Sequence, residues 1–157
     1  MIRLGLLLSL LVLGSCVSQV EKDSEAIASL LDTWHKSAAT GDLETYFDLF
    51  HPEGHFLGTD QSEDWSKQEF YEFCKPYFED GQAWDFKPKD RNIYFNSDGQ
   101  TVWFNEVLNT WMGPCRGSGI LVLEKGEWKL MQYNLAVLVS NDLIKDYLKL
   151  LEDPEDE

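Results

Sequence analysis

Residues 113–135 read GPCRGSGILVLEKGEWKLMQYNL. Two extended apolar runs flank Lys125-Gly126-Glu127, a tight turn that sets 116–124 beside 128–139 as antiparallel strands. Gly113-Pro114 brings the chain into this hairpin from 100–112, and Ser97-Asp98-Gly99 joins that run to 84–96. Four strands in meander order therefore occupy the second half of the chain. Upstream of Gly81 the apolar period changes from two to that of a helix. The segment 67–80 is a helix rich in Phe and Tyr, disturbed by Pro76 and opened by Ser66 and Glu69 as a capping box. Before it, 60–66 reads as a loop and 55–58 as a short strand; LETYFDLF is a second helix, capped by Asp42 and closed by Pro52. The first domain helix is 24–39, with Ser24 as N-cap and Ile27, Leu30, Leu31, Trp34 and Ala38 on one face. A short helix starting at Asn141 or Asp142, then an acidic tail, follows the meander.

Helices first and a meander afterwards predict an α+β domain, with three N-terminal helices on one face of an antiparallel sheet. The run 100–112 complicates its other face. Val102, Phe104 and Leu108 alternate with Trp103, Val107 and Trp111, so both sides of this strand are apolar. Such a strand needs cover on both sides, and a second copy of the chain, making a homodimer, is the expected partner.

The 157 residues carry 13 Lys and Arg against 28 Asp and Glu, a net charge of -15. Phosphate backbones bind through clustered cations, so nucleic acid is excluded as a partner. Docking on anionic lipid through a basic patch is excluded for the same reason. Residues 1–15 supply another route to a membrane: Arg3, an apolar run from Leu4 to Leu13 and small residues form a secretory signal. Leu13-Gly14-Ser15-Cys16 resembles the bacterial lipobox, which implies a lipid on Cys16 and a place in the cell envelope, on the periplasmic face or outer membrane. Residues 16–23 then form a tether, 24–141 the domain, and 142–157 a C-terminal helix and acidic tail. An extracytoplasmic compartment permits Cys74 and Cys115 to pair; the alternative is a free Cys74, since it falls in an aromatic helical stretch where a thiol acts as a small apolar group. No Cys or His spacing points to a metal, and nothing calls for a cofactor.

Three blocks carry a family resemblance: AATGDLETYFDLF at 38–50, HFLGTD at 55–60, and the 113–135 segment. The chain resembles the SnoaL-like branch of the nuclear transport factor two superfamily, which implies a cone-shaped fold: helices on a strongly curved sheet around one deep pocket. That superfold hosts cyclases, dehydratases, hydrolases, isomerases and non-catalytic modules, so it does not choose an activity. In the ketosteroid isomerase branch a Tyr on the first helix and an Asp ending the first strand do the chemistry. Their places fall here on Trp34 and Gly58, so that chemistry does not transfer.

The candidate site residues follow. Ser66 takes the capping role, which leaves Asp60 as a base, a ligand acceptor or a loop residue. Glu106 sits between Phe104 and Leu108, and Arg116 opens the next strand; the two meet across the hairpin either in the pocket or as a register-setting ion pair. Asn134 bonds a ligand or the backbone, and His35 beside Trp34 is a candidate acid or base. Trp34, Trp65 and Trp84 are expected in the lining, as flat walls for a ring-shaped ligand. The expected function is a lipid-anchored protein holding a small apolar molecule. The alternatives are a cyclase, dehydratase or hydrolase using Asp60, Glu106 or His35, and a structural dimer.

Overall fold

A computed structural model describes residues 3–81 and 83–151, with side chains from residue 21 onward. Cys16, the signal segment and the tail therefore lie outside the described side chains. The first helix, α1 (Arg3–Ala39), does not begin at Ser24 but runs through it. Neither Gly nor Pro occurs between 15 and 40, so no residue interrupts the backbone hydrogen bonds there. Its buried stripe is Ile27, Leu31, Trp34 and Ala38, spaced at three and four residues.

Gly41 turns the chain at φ +69°, and a side chain there would collide with the Gly81 backbone. That close approach locks the turn after α1 onto the end of α3 (Lys67–Glu79). Asp42 caps α2 (Leu43–Asp48) by accepting from the Thr45 amide at 3.0 Å. The expected capping box opens α3, with the Glu69 carboxylate accepting from the Ser66 amide at 2.9 Å. Phe70, Cys74 and Phe78 face inward from α3, and Pro76 lies within it.

The strands are β1 (Phe50–Leu57), β2 (Asp64–Ser66), β3 (Lys87–Phe95), β4 (Thr101–Thr110), β5 (Gly113–Glu124) and β6 (Glu127–Val137). β1 begins earlier than expected, because Pro52 falls in an irregular stretch between the paired residues Phe50 and His55, where no ladder amide is required. Part of the expected loop is instead β2, paired with β1 from His55 to Leu57. The sheet order is β2-β1-β6-β5-β4-β3.

The expectation of an antiparallel sheet needs correction, since β1 runs parallel to β6 and the sheet is mixed. The four-strand meander fixes the direction of β6, while the chain leaves β1 and crosses over by way of α3 to start β3 at the far edge. The result is a curved, unclosed sheet with helices against it. On β4, Val102, Phe104, Glu106 and Leu108 point inward and are buried, whereas Trp103 faces out. A turn at Asn141–Leu143 leads into α4 (Ile144–Leu151), which buries none of its side chains.

Candidate ligand pocket

Helices and sheet enclose a cavity of about 250 Å³. Its inner wall is Trp34, His35 and Tyr46 from the first two helices and Tyr133 and Leu135 from β6. The flank is an aromatic pile: Phe56 stacks on Phe70 at 3.9 Å and on Tyr133 at 5.8 Å, and Trp65 lies nearly parallel to Phe70 at 5.9 Å. Phe73, Tyr77, Trp84 and Phe86 continue it, while Thr59, Glu63, Trp111 and Met112 also border the space. Flat rings in parallel leave a slot, a shape that accepts a planar apolar molecule.

An ionic network lies behind this wall. Glu106 is fully buried; its Oε1 lies 2.6 Å from His35 Nε2 and accepts from the Tyr133 hydroxyl at 3.3 Å. Its Oε2 accepts from Arg91 Nε at 2.8 Å, and Arg91 Nη1 donates to Asp32 and to the Ala28 carbonyl. Burial alone pushes the Glu106 carboxyl up. The His35 bond and the Arg91 charge outweigh it and hold the carboxyl below its ordinary value. A carboxylate can only accept, so His35 Nε2 carries the proton of this contact. Burial, reinforced by the Glu106 charge, raises the Tyr133 phenol well above its usual value and keeps it a donor. Burial does the same to Tyr46.

Local backbone features place these groups. The ladder between β3 and β4 slips between Lys89 and Asn92, with Asp90 at φ +51°, and this bulge lies beside Arg91, whose guanidinium reaches the inner face. Gly117 stands opposite Glu106, and a Cβ at that position would run into the Tyr133 hydroxyl. Glycine is thus what lets Tyr133 reach the carboxylate.

Within the network Arg91 Nη2 has no hydrogen-bond partner, and beside it two further buried donors, Trp34 Nε1 and the Tyr46 hydroxyl, have none. Their residues are 2% and 1% exposed, and their rings stack at 4.8 Å. Leaving such a group unpaired costs ~1–3 kcal/mol.

The expected site residues separate into two groups. Trp34, His35, Trp65 and Trp84 all line the cavity, with Glu106 behind them. Asp60 is exposed and away from the lining; its carboxylate accepts from the Ser62 hydroxyl and amide, bonds that hold it below the usual range. It orders the turn between β1 and β2, and Glu63 borders the cavity instead.

Arg116 does not meet Glu106. Glu106 registers with Gly117, so the pleat sends Arg116 to the opposite, exposed face across from Val107. Asn134 lies between inward-facing Tyr133 and Leu135 and so faces outward as well. Cys74 and Cys115 are both free and buried. His51 contacts Glu124 at 3.0 Å and His55 contacts Asp64 at 3.2 Å.

Sequence reasoning missed Arg91, Tyr46 and Tyr133. One signal for Arg91 was available: it shares strand parity with Ile93 and Phe95, which pack against the core.

The SnoaL-like domain model matches residues 27–140. The chain belongs to the SnoaL-like family. Among solved structures it is similar to a candidate dehydratase of the NTF2-like family from Streptomyces avermitilis, at TM-score 0.66 and 13% identity, covering 76% of this chain and 99% of that one. A candidate aromatic ring hydroxylase from Novosphingobium aromaticivorans aligns at TM-score 0.63 and 16% identity, over 76% and 91%. An NTF2-like protein of unknown function from Shewanella oneidensis aligns at 0.63 and 10%, over 73% and 99%. At these identities the likeness is one of fold. No curated protein matches the sequence.

Proposed function

We propose that this SnoaL-like protein is anchored to the bacterial envelope by a lipid on Cys16 and holds a small, flat, largely apolar molecule in its aromatic slot. The supporting observation is the parallel pile of Phe56, Phe70, Trp65 and Tyr133 along a cavity of about 250 Å³. That volume lies just below the ~300–1,000 Å³ typical of ligand clefts, so it suits a molecule of one or two rings. The anchor rests on the LGSC sequence behind the apolar run. Among the described residues no helix is long and apolar enough to cross a membrane. Native mass spectrometry of the full chain, purified from its own cells, tests the ligand. A small molecule should come off on denaturation of wild type and be absent from Ala83→Trp, which fills the slot from a lining position. Identical spectra without any adduct refute the binding reading.

A second reading is supported by the His35–Glu106 contact of 2.6 Å at the cavity wall. An imidazole held by a buried carboxylate, with its other nitrogen free of hydrogen bonds to described residues, is an arrangement suited to moving a proton to or from a bound molecule. The fold shared with a candidate dehydratase makes elimination of water the reaction class to assay first. Under this reading His35→Gln retains ligand and loses turnover.

The outer sheet face supports a homodimer. Tyr94 and Trp103 stack there at 5.8 Å while 43% and 46% exposed, and the helices cover the other side.

A further inference from the structure

We infer that the molecule held in the slot carries a positive charge, as a protonated amine or a quaternary ammonium, at the end that lies in the cavity mouth, and that Glu63 is its counter-ion. This rests on the binding reading above and names the ligand class for the same cavity. The placement of Glu63 is the first support. Phe56 faces inward near the end of β1, and alternation makes Gly58 the next inward position. Glu63 stands opposite Gly58, one step beyond the paired Leu57 and Asp64, and the Gly58 amide donates to the Glu63 carbonyl at 2.9 Å. A Cβ at Gly58 would run into the Glu63 carboxylate, so the glycine leaves the space in which that carboxylate sits at the cavity border. The Asp60 amide donates to Glu63 Oε2 at 3.2 Å, which holds the group in place and leaves most of its acceptor capacity open.

Aromatic rings surround the same opening. Trp65, Trp84, Trp111 and Tyr77 border the cavity, and Trp111 is 84% exposed. Ring faces are negative and attract a cation, Trp most strongly, so a carboxylate among several rings is a setting for an ammonium group. The exposed indole of Trp111 at the cavity border is apolar surface that such a ligand covers. Charge elsewhere argues the same way. Among the described residues the lining contains no Lys or Arg, and Arg91, behind the wall, is shared between Glu106 and Asp32, so the network adds no net positive charge. An anion would lose its hydration and meet Glu63 without a counter-charge. A neutral hydroxyl could donate to Glu63 but would gain little from the ring faces.

The test compares three probes that share a naphthalene ring, 1-naphthylmethylammonium, 1-naphthalenemethanol and 1-naphthoate, by isothermal titration into the full chain at neutral pH. Wild type should bind the ammonium about tenfold more tightly than the alcohol, and the carboxylate more weakly than either. Glu63→Gln is the decisive variant. It removes the charge and keeps an oxygen that can accept from the Asp60 amide, so the melting temperature should be unchanged. In this variant the ammonium should fall to within about threefold of the alcohol, the remainder being the attraction of the rings, while the alcohol binds as before. Equal binding of ammonium and alcohol to wild type overturns the cation and leaves the apolar slot standing. The same conclusion follows if the tenfold preference survives intact in Glu63→Gln, since Glu63 is then not the counter-ion. Binding of none of the three overturns the slot and the cation together.

Discussion

Replacing Arg91 with Ala removes the one cation that touches Glu106 Oε2 and leaves a fully buried carboxylate with only His35 and Tyr133. Breaking a buried pair from one side costs ~3–5 kcal/mol, because the surviving charge is desolvated without compensation. Part of the carboxylate's partner set remains, so the lower end, about 3 kcal/mol, is expected. For a chain of this size that corresponds to a fall of roughly 10 °C in melting temperature. Arg116→Ala is the control: it is exposed on the opposite face, and a surface change of this kind costs about 0.5 kcal/mol or less. Urea unfolding at neutral pH reads both. The pH dependence adds a second check. Glu106 has a depressed carboxyl in the folded protein, so its contribution is complete above the unfolded-state value of 4.5 and is lost as pH falls through the folded value. In Arg91→Ala burial dominates, the carboxyl moves up, and protonation on acidification relieves the folded state. The gap between wild type and variant should therefore narrow as pH falls from 7 towards 4. Equal losses for Arg91→Ala and Arg116→Ala, or a gap that widens in acid, would refute the network as drawn.

Three further outcomes are expected. Asp60→Asn should leave ligand retention unchanged and lower stability by about 1 kcal/mol or less, since its bonds belong to an exposed turn; a loss of ligand with intact folding would return Asp60 to the pocket. A clickable fatty acid should label wild type and not Cys16→Ser, and label persisting in that variant removes the anchor. Sedimentation of the chain from residue 24 onward should give twice the monomer mass at micromolar concentration, and Trp103→Asp should give the monomer. A wild-type monomer throughout would mean that this face has another cover.

The elements were legible wherever a local signal determined the backbone. Asp42 and the Ser66–Glu69 box fixed two helix starts, and Lys125-Gly126 fixed the last turn. Ser24 misled because a good capping residue does not cap when helix-compatible residues precede it. The direction of β1 was not legible, because its partner, β6, begins seventy residues after β1 ends and no local pattern encodes a parallel pairing over that distance.

The site shows the same division at the level of single side chains. Alternation along β4 correctly turned Glu106 inward among Val102, Phe104 and Leu108, since a period of two needs no knowledge of the partner strand. Choosing its counter-ion does need that knowledge. Arg116 lay next in sequence across a hairpin, but Glu106 registers with Gly117, and a one-residue offset in a pleated sheet moves a side chain to the other face. The guanidinium that does arrive comes from the neighbour on the other side, beside a bulge at Asp90 that strand periodicity does not reveal. Gly117 connects the two halves of the site: in sequence it is one of three glycines in GPCRGSG, and in the fold its missing side chain is the space through which Tyr133 reaches Glu106. The proton on Tyr133 therefore points at the carboxylate and away from any ligand. What borders the cavity from the inner wall is Trp34, His35 and Tyr46, whereas the carboxylate of Asp60 is exposed and off the lining.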